Sequence, residues 1–131
     1  MRTHIVARLA AIVVGLEGLA ILALVVWQVR ALVTGDTGSF ESALALVVLT
    51  AIGGVAVLAF AAATWRGQSW GRSGGIVTQL LILAVAVGAM TGAYAEPATG
   101  FALAAPAGVA LVLLVLAVRA AGRNAPGAAP R

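Results

Sequence analysis

Few side chains in this 131-residue chain are of a type that does chemistry. There is no cysteine, so there is no disulfide, no thiolate nucleophile and no sulfur-based metal site. The one histidine, His4, lies at the extreme N-terminus and reads as a solvated tail residue, not a metal ligand. The four acids are Glu17, Asp36, Glu41 and Glu96. Three of them fall at polar breaks and Glu17 stands alone in an apolar run, so no two form a general acid–base pair. No glycine-rich loop leads to a lysine, no His/Glu spacing suits a metal, and no Ser–His–Asp set is present. The chain is expected to have no catalytic residue, no metal site and no cofactor.

Glu17 is the residue that needs a reason. It sits near the middle of an apolar run, where a charge costs about 2.5–3.5 kcal/mol on insertion scales. Water must reach it, a partner must meet it, or it must be neutral. Gln79 is the expected partner, because its amide donates to a carboxylate and accepts from the acid form. Thr78, Thr50 and Arg66 are weaker candidates. A cross-helix hydrogen bond of this kind is worth roughly 0.6 kcal/mol on average in membranes. The other uses of Glu17 are proton or cation handling and contact with another subunit.

A second cluster lies between Trp65 and Gly75. It holds Trp65, Arg66, Gln68, Trp70 and Arg72 among several glycines. Arg66, Arg72, Trp65 and Trp70 are candidates for an anionic lipid headgroup or a partner loop. The simpler use is to set topology and anchor the interface.

The elements that position these residues follow from composition. The chain is 63% hydrophobic and 9% charged, against about 45–50% apolar and about 25% charged for soluble domains. A soluble globular domain and a disordered chain are both excluded. Four stretches approach or exceed the roughly 20 apolar residues that span a bilayer: about 9–29, 42–64, 75–95 and 101–118. Turn-former clusters separate them at Thr34–Ser39, Trp65–Gly74 and Glu96–Gly100. The runs are continuously apolar, whereas barrel strands alternate, so the spans are helices. The expected fold is an all-α membrane protein, one four-transmembrane-helix bundle over residues 1–131. The Ala/Gly/Pro-rich stretch 120–131 is expected to be a flexible cytoplasmic tail. The first apolar run is too long for a signal-peptide core and is read as a retained span.

All eight basic residues are arginine. Arg2 and Arg8 precede the first span, Arg66 and Arg72 lie between the second and third, and Arg119, Arg123 and Arg131 follow the fourth. Four crossings bring these seven to one face and leave Arg30 with Asp36, Glu41 and Glu96 on the other. Basic residues mark the cytoplasmic side, so both termini are expected inside a bacterial inner membrane. The net charge of +4 reads as attraction to lipid and not to nucleic acid, because the arginines form no stripe on a polar surface. Trp27, Phe40, Tyr94 and Phe101 fall at the outer boundary, and Trp65 and Trp70 at the inner one.

Helices in lipid associate by close contact over small residues. Ala11, Gly15 and Gly18 offer such a face in the first span, and Ala84, Gly88 and Gly92 offer one at spacing four in the third. Both series are read as packing seams.

With Glu17, Gln79-Leu80-Leu81 and the stretch Trp65-Arg66-Gly67-Gln68-Ser69-Trp70-Gly71-Arg72-Ser73, the chain resembles small four-helix integral membrane proteins of unknown function from GC-rich actinobacteria. The likeness covers roughly the first two thirds of the chain and implies fold, inner-membrane location and source, but no activity. It is also similar, more distantly, to the small multidrug-resistance exporters. These are four-helix proteins with a first-span glutamate that alternately binds protons and cationic drugs, a role that would fall to Glu17. Those exporters line their site with third-span aromatics, and Val77–Gly92 has none. The expected function is non-enzymatic: helix–helix association in the inner membrane, as a homo-oligomer or as an accessory subunit of a larger complex. The alternative is a small proton-coupled transporter or proton-handling protein centred on Glu17.

Overall fold

The computed structural model describes residues 2–127. Met1 and the last part of the expected tail, 128–131, lie outside the described residues. The chain forms α1 (Arg2–Thr34), α2 (Phe40–Trp65), α3 (Ser69–Thr91) and α4 (Pro97–Arg123), with no strand among the described residues. Each helix is long and apolar enough to cross a membrane.

Local chemistry sets the helix ends. Gly35 closes α1 with φ of 73°, and the Asp36 amide reaches back to the Ala31 carbonyl at 3.0 Å. Ser39 caps α2, its side chain accepting from the Ser42 amide, and Glu41 lies in the first turn, where a negative charge suits the helix dipole. Gly67, at φ of 76°, ends α2 in the same way as Gly35 ends α1: its amide bonds the Thr64 carbonyl at 3.0 Å, and the Gln68 amide bonds Ala63 at 2.9 Å. Pro97 opens α4, at a position where a missing N–H costs least.

Three boundaries differ from the sequence reading. The ten-residue break at 65–74 is a turn of only Arg66, Gly67 and Gln68, because α3 already begins at Ser69. The expected tail is helical through Arg123. The fourth helix begins at Pro97 and not near Phe101, so Pro106 lies well inside α4, which continues through it.

The helices pack in ring order, α1 on α2, α2 on α3, α3 on α4 and α4 on α1. Contact is most extensive within the hairpins α1–α2 and α3–α4, which leaves α1 and α3 diagonally opposed. The core between the hairpins contains Ala10, Val14, Val57, Ala61, Ala110 and Leu114. The surface is the inverse of a soluble protein. Leu16, Leu49, Ile52, Val55, Leu81 and Val85 are each more than 60% exposed, while Gln79 and Thr64 are fully buried. An apolar exterior of that extent matches a lipid surround. The fold is a four-helix bundle of membrane-spanning type.

Burial is unequal along the bundle. No residue of α1 beyond Gly18 and none of α2 before Gly54 is buried. Toward the other end, Gly54 packs within its hairpin on Ile21 and Leu22, and Gly100 packs within its own on Ala86 and Met90. Burial between the two hairpins is therefore concentrated on the Arg2 and Arg123 side of the bundle's middle and is sparse toward Asp36 and Glu96.

Candidate functional site

Glu17 lies on α1 one turn beyond Val14, at the limit of the packed half. Gln79 lies on α3 one turn beyond Gly75, a glycine against which Leu114 packs. The structure brings the two side chains together: Gln79 Nε2 donates to Glu17 Oε2 at 2.5 Å, across the diagonal of the bundle. Gln79 is fully buried and Glu17 partly so. Glu17 Oε1 and Gln79 Oε1 are both buried without a hydrogen-bond partner. Each of these oxygens has an unused capacity to accept a hydrogen bond. It contains no nucleophile, and no group of three or more His, Cys, Asp or Glu able to hold a metal occurs among the described residues.

The weaker partners are occupied elsewhere. Thr78 Oγ1 donates to the Gly74 carbonyl at 2.9 Å and Thr50 Oγ1 to Leu46 at 2.7 Å. Arg66 stands exposed in the α2–α3 turn. Two polar groups were missed by the sequence reading. Thr64 is fully buried with Oγ1 unpartnered. Gln28 keeps Oε1 buried and unpartnered on the face of α1 that carries Glu17. Eleven residues make about three helical turns, so that spacing was the available signal.

The residues of the α2–α3 turn hold one another. The Arg72 guanidinium donates through Nη1 to the Gly67 carbonyl at 2.8 Å, and Trp70 Nε1 donates to Gln68 Oε1 at 3.2 Å. Trp70 meets Phe60 edge to face at 6.0 Å. Arg8 of α1 lies 5.2 Å from the Trp65 ring centroid, a cation–π contact that ties α1 to the end of α2.

The small-residue series divide. Ala11 is buried, Gly15 faces Ala61, and Gly18 faces Leu58, so the first-span series packs against α2. In α3 the inward seam is Gly71, Gly75 and Gln79, not Ala84, Gly88 and Gly92. A Cβ built on Gly71 would lie 2.6 Å from both Ala63 Cβ and the Thr64 amide nitrogen, so only glycine allows that approach. Ala84 and Gly88 are exposed, and a Cβ on Gly88 would meet nothing within 4 Å. Gly92 caps α3, its amide bonding the Gly88 carbonyl at 2.8 Å. No protein-family model, no curated protein and no solved structure matches the chain.

Proposed function

We propose that this multi-pass membrane protein acts without enzymatic chemistry, through association of its helices with a second copy or with a larger membrane complex. The observation that carries this reading is the outward face of α3. Ala84 and Gly88 sit there with open space above them, although the bundle's own seams use other small residues. A glycine costs about 1 kcal/mol of helix propensity relative to alanine, and close approach of another helix is what recovers that cost in lipid. On this reading the Glu17–Gln79 bond is a clasp that holds the two hairpins in register and keeps the outward faces in place. The end where α1 begins and α4 finishes belongs on the cytoplasmic side of a bacterial inner membrane, because Arg2, Arg8, Arg66, Arg72, Arg119 and Arg123 gather there. The test is purification from the native membrane in mild detergent, with the mass of the particle measured. A dimer, or a stoichiometric partner lost on Gly88→Leu, supports the reading; a lone monomer contradicts it.

A second reading, proton or cation handling at Glu17, rests on the two buried and unpartnered oxygens of the clasp. Proton flux in vesicles carrying the wild-type chain but not Glu17→Gln would favour it over association.

A further inference from the structure

Among the described residues, the arginine end of the bundle has a charge that no acidic side chain balances. Six of the eight arginines lie there within the described residues, and no aspartate or glutamate does. Glu17 is well inside α1, while Asp36, Glu41 and Glu96 belong to the opposite end. No acidic side chain among the described residues meets these arginines, which leaves them open to an external anion.

One place at this end is shaped to take an anion. A recess of about 280 Å³ opens where the start of α1, the α2–α3 turn and the end of α4 converge. Its polar wall is His4, Arg72 and Asn124, and its apolar wall is Ala7, Ala117 and Ala121. Arg72 is pre-positioned, since one of its nitrogens is fixed on the Gly67 carbonyl at 2.8 Å. A guanidinium has five N–H donors, so the remaining ones are free for a second acceptor. Asn124 adds an amide N–H group and His4 a ring N–H. The three alanines keep the apolar side shallow. The recess borders the turn that Trp65 and Trp70 flank, both about half exposed, and tryptophans of that kind sit at headgroup level.

We propose that this recess binds the phosphodiester of an anionic phospholipid. Arg72, Asn124 and His4 hold the phosphate, and an acyl chain lies over Ala7, Ala117 and Ala121. The chemistry is that of any phosphate, but the alanine wall and the interfacial depth select a lipid over the free ion. The inference is independent of whether the protein associates through α3.

The test uses the purified full chain in detergent, titrated with phosphatidylglycerol or phosphatidylcholine, with bound lipid read by native mass spectrometry. The wild type is expected to retain phosphatidylglycerol in preference to phosphatidylcholine. Arg72→Gln and Ala121→Leu are each expected to weaken phosphatidylglycerol at least about tenfold, whereas Arg119→Gln, at the same end but outside the recess, stays within about twofold. Ala121→Leu removes no charge and leaves the Arg72–Gly67 bond intact, so its effect does not depend on the α2–α3 turn. An equal loss in Arg119→Gln would reduce the binding to diffuse charge and overturn the site. Unchanged binding in Ala121→Leu, or displacement of the lipid by inorganic phosphate, would overturn it as well.

Discussion

Gln79 and Glu17 join α3 to α1 across the bundle, linking by one hydrogen bond two helices that ring order sets diagonally opposite. Because each belongs to a different hairpin, the bond fastens the hairpins to one another at the edge of their shared core.

Removing the carboxylate without replacing its acceptor should be costly. Glu17→Leu leaves the buried Gln79 amide without a partner, at about 1–3 kcal/mol. Glu17→Gln retains an acceptor and should accumulate and fold like the wild type. Glu17→Leu combined with Gln79→Leu should recover most of the single-mutant loss. Unfolding in detergent, arranged as a double-mutant cycle, measures all three, and additive losses would contradict the clasp.

Gly71 and Gly88 should respond oppositely to the same change. Gly71→Ala drives a methyl into the Ala63–Thr64 backbone and should destabilise the bundle by about 1–3 kcal/mol. Gly88→Ala meets nothing within the chain and should raise monomer stability slightly through helix propensity. Equal destabilisation by both would mean that α3 presents a different face to the bundle.

Gly67 is held where an L side chain strains the backbone. Gly67→Ala should cost about 1–2 kcal/mol and loosen the α2–α3 turn. The loosening should appear as faster hydrogen exchange of the Gln68 amide, now bonded to Ala63.

The absence of native cysteine makes topology simple to measure. In intact cells, Thr37→Cys and Ala98→Cys should react with a membrane-impermeant maleimide. Gln68→Cys and Asn124→Cys should react only after lysis. The reverse pattern would place the arginine end outside.

What the sequence disclosed depended on contrast. Four continuously apolar runs broken by turn-formers show four helices, since the other structure that satisfies a backbone in lipid, a closed barrel, needs alternating strands. Glu17 and Gln79 are conspicuous because an apolar field offers a polar group so few partners. The start of α3 was hidden for the opposite reason. Ser69, Gly71, Arg72 and Gly74 have the local preferences of a loop, and it is the approach of Ala63 to Gly71 that makes a helix there worthwhile. Spacing also leaves facing undetermined. Gly71, Gly75 and Gln79 recur every four residues just as Ala84, Gly88 and Gly92 do, yet only the first series turns inward, and which face is covered depends on neighbours that the chain's own periodicity does not record.

The uneven burial along the bundle has a mechanical consequence. With the apolar cement concentrated around Val14, Val57 and Leu114, the hairpins behave as two arms riveted near one end. Little burial joins them toward Asp36 and Glu96, so a force applied at that rim is resisted first by the Glu17–Gln79 bond at the edge of the core.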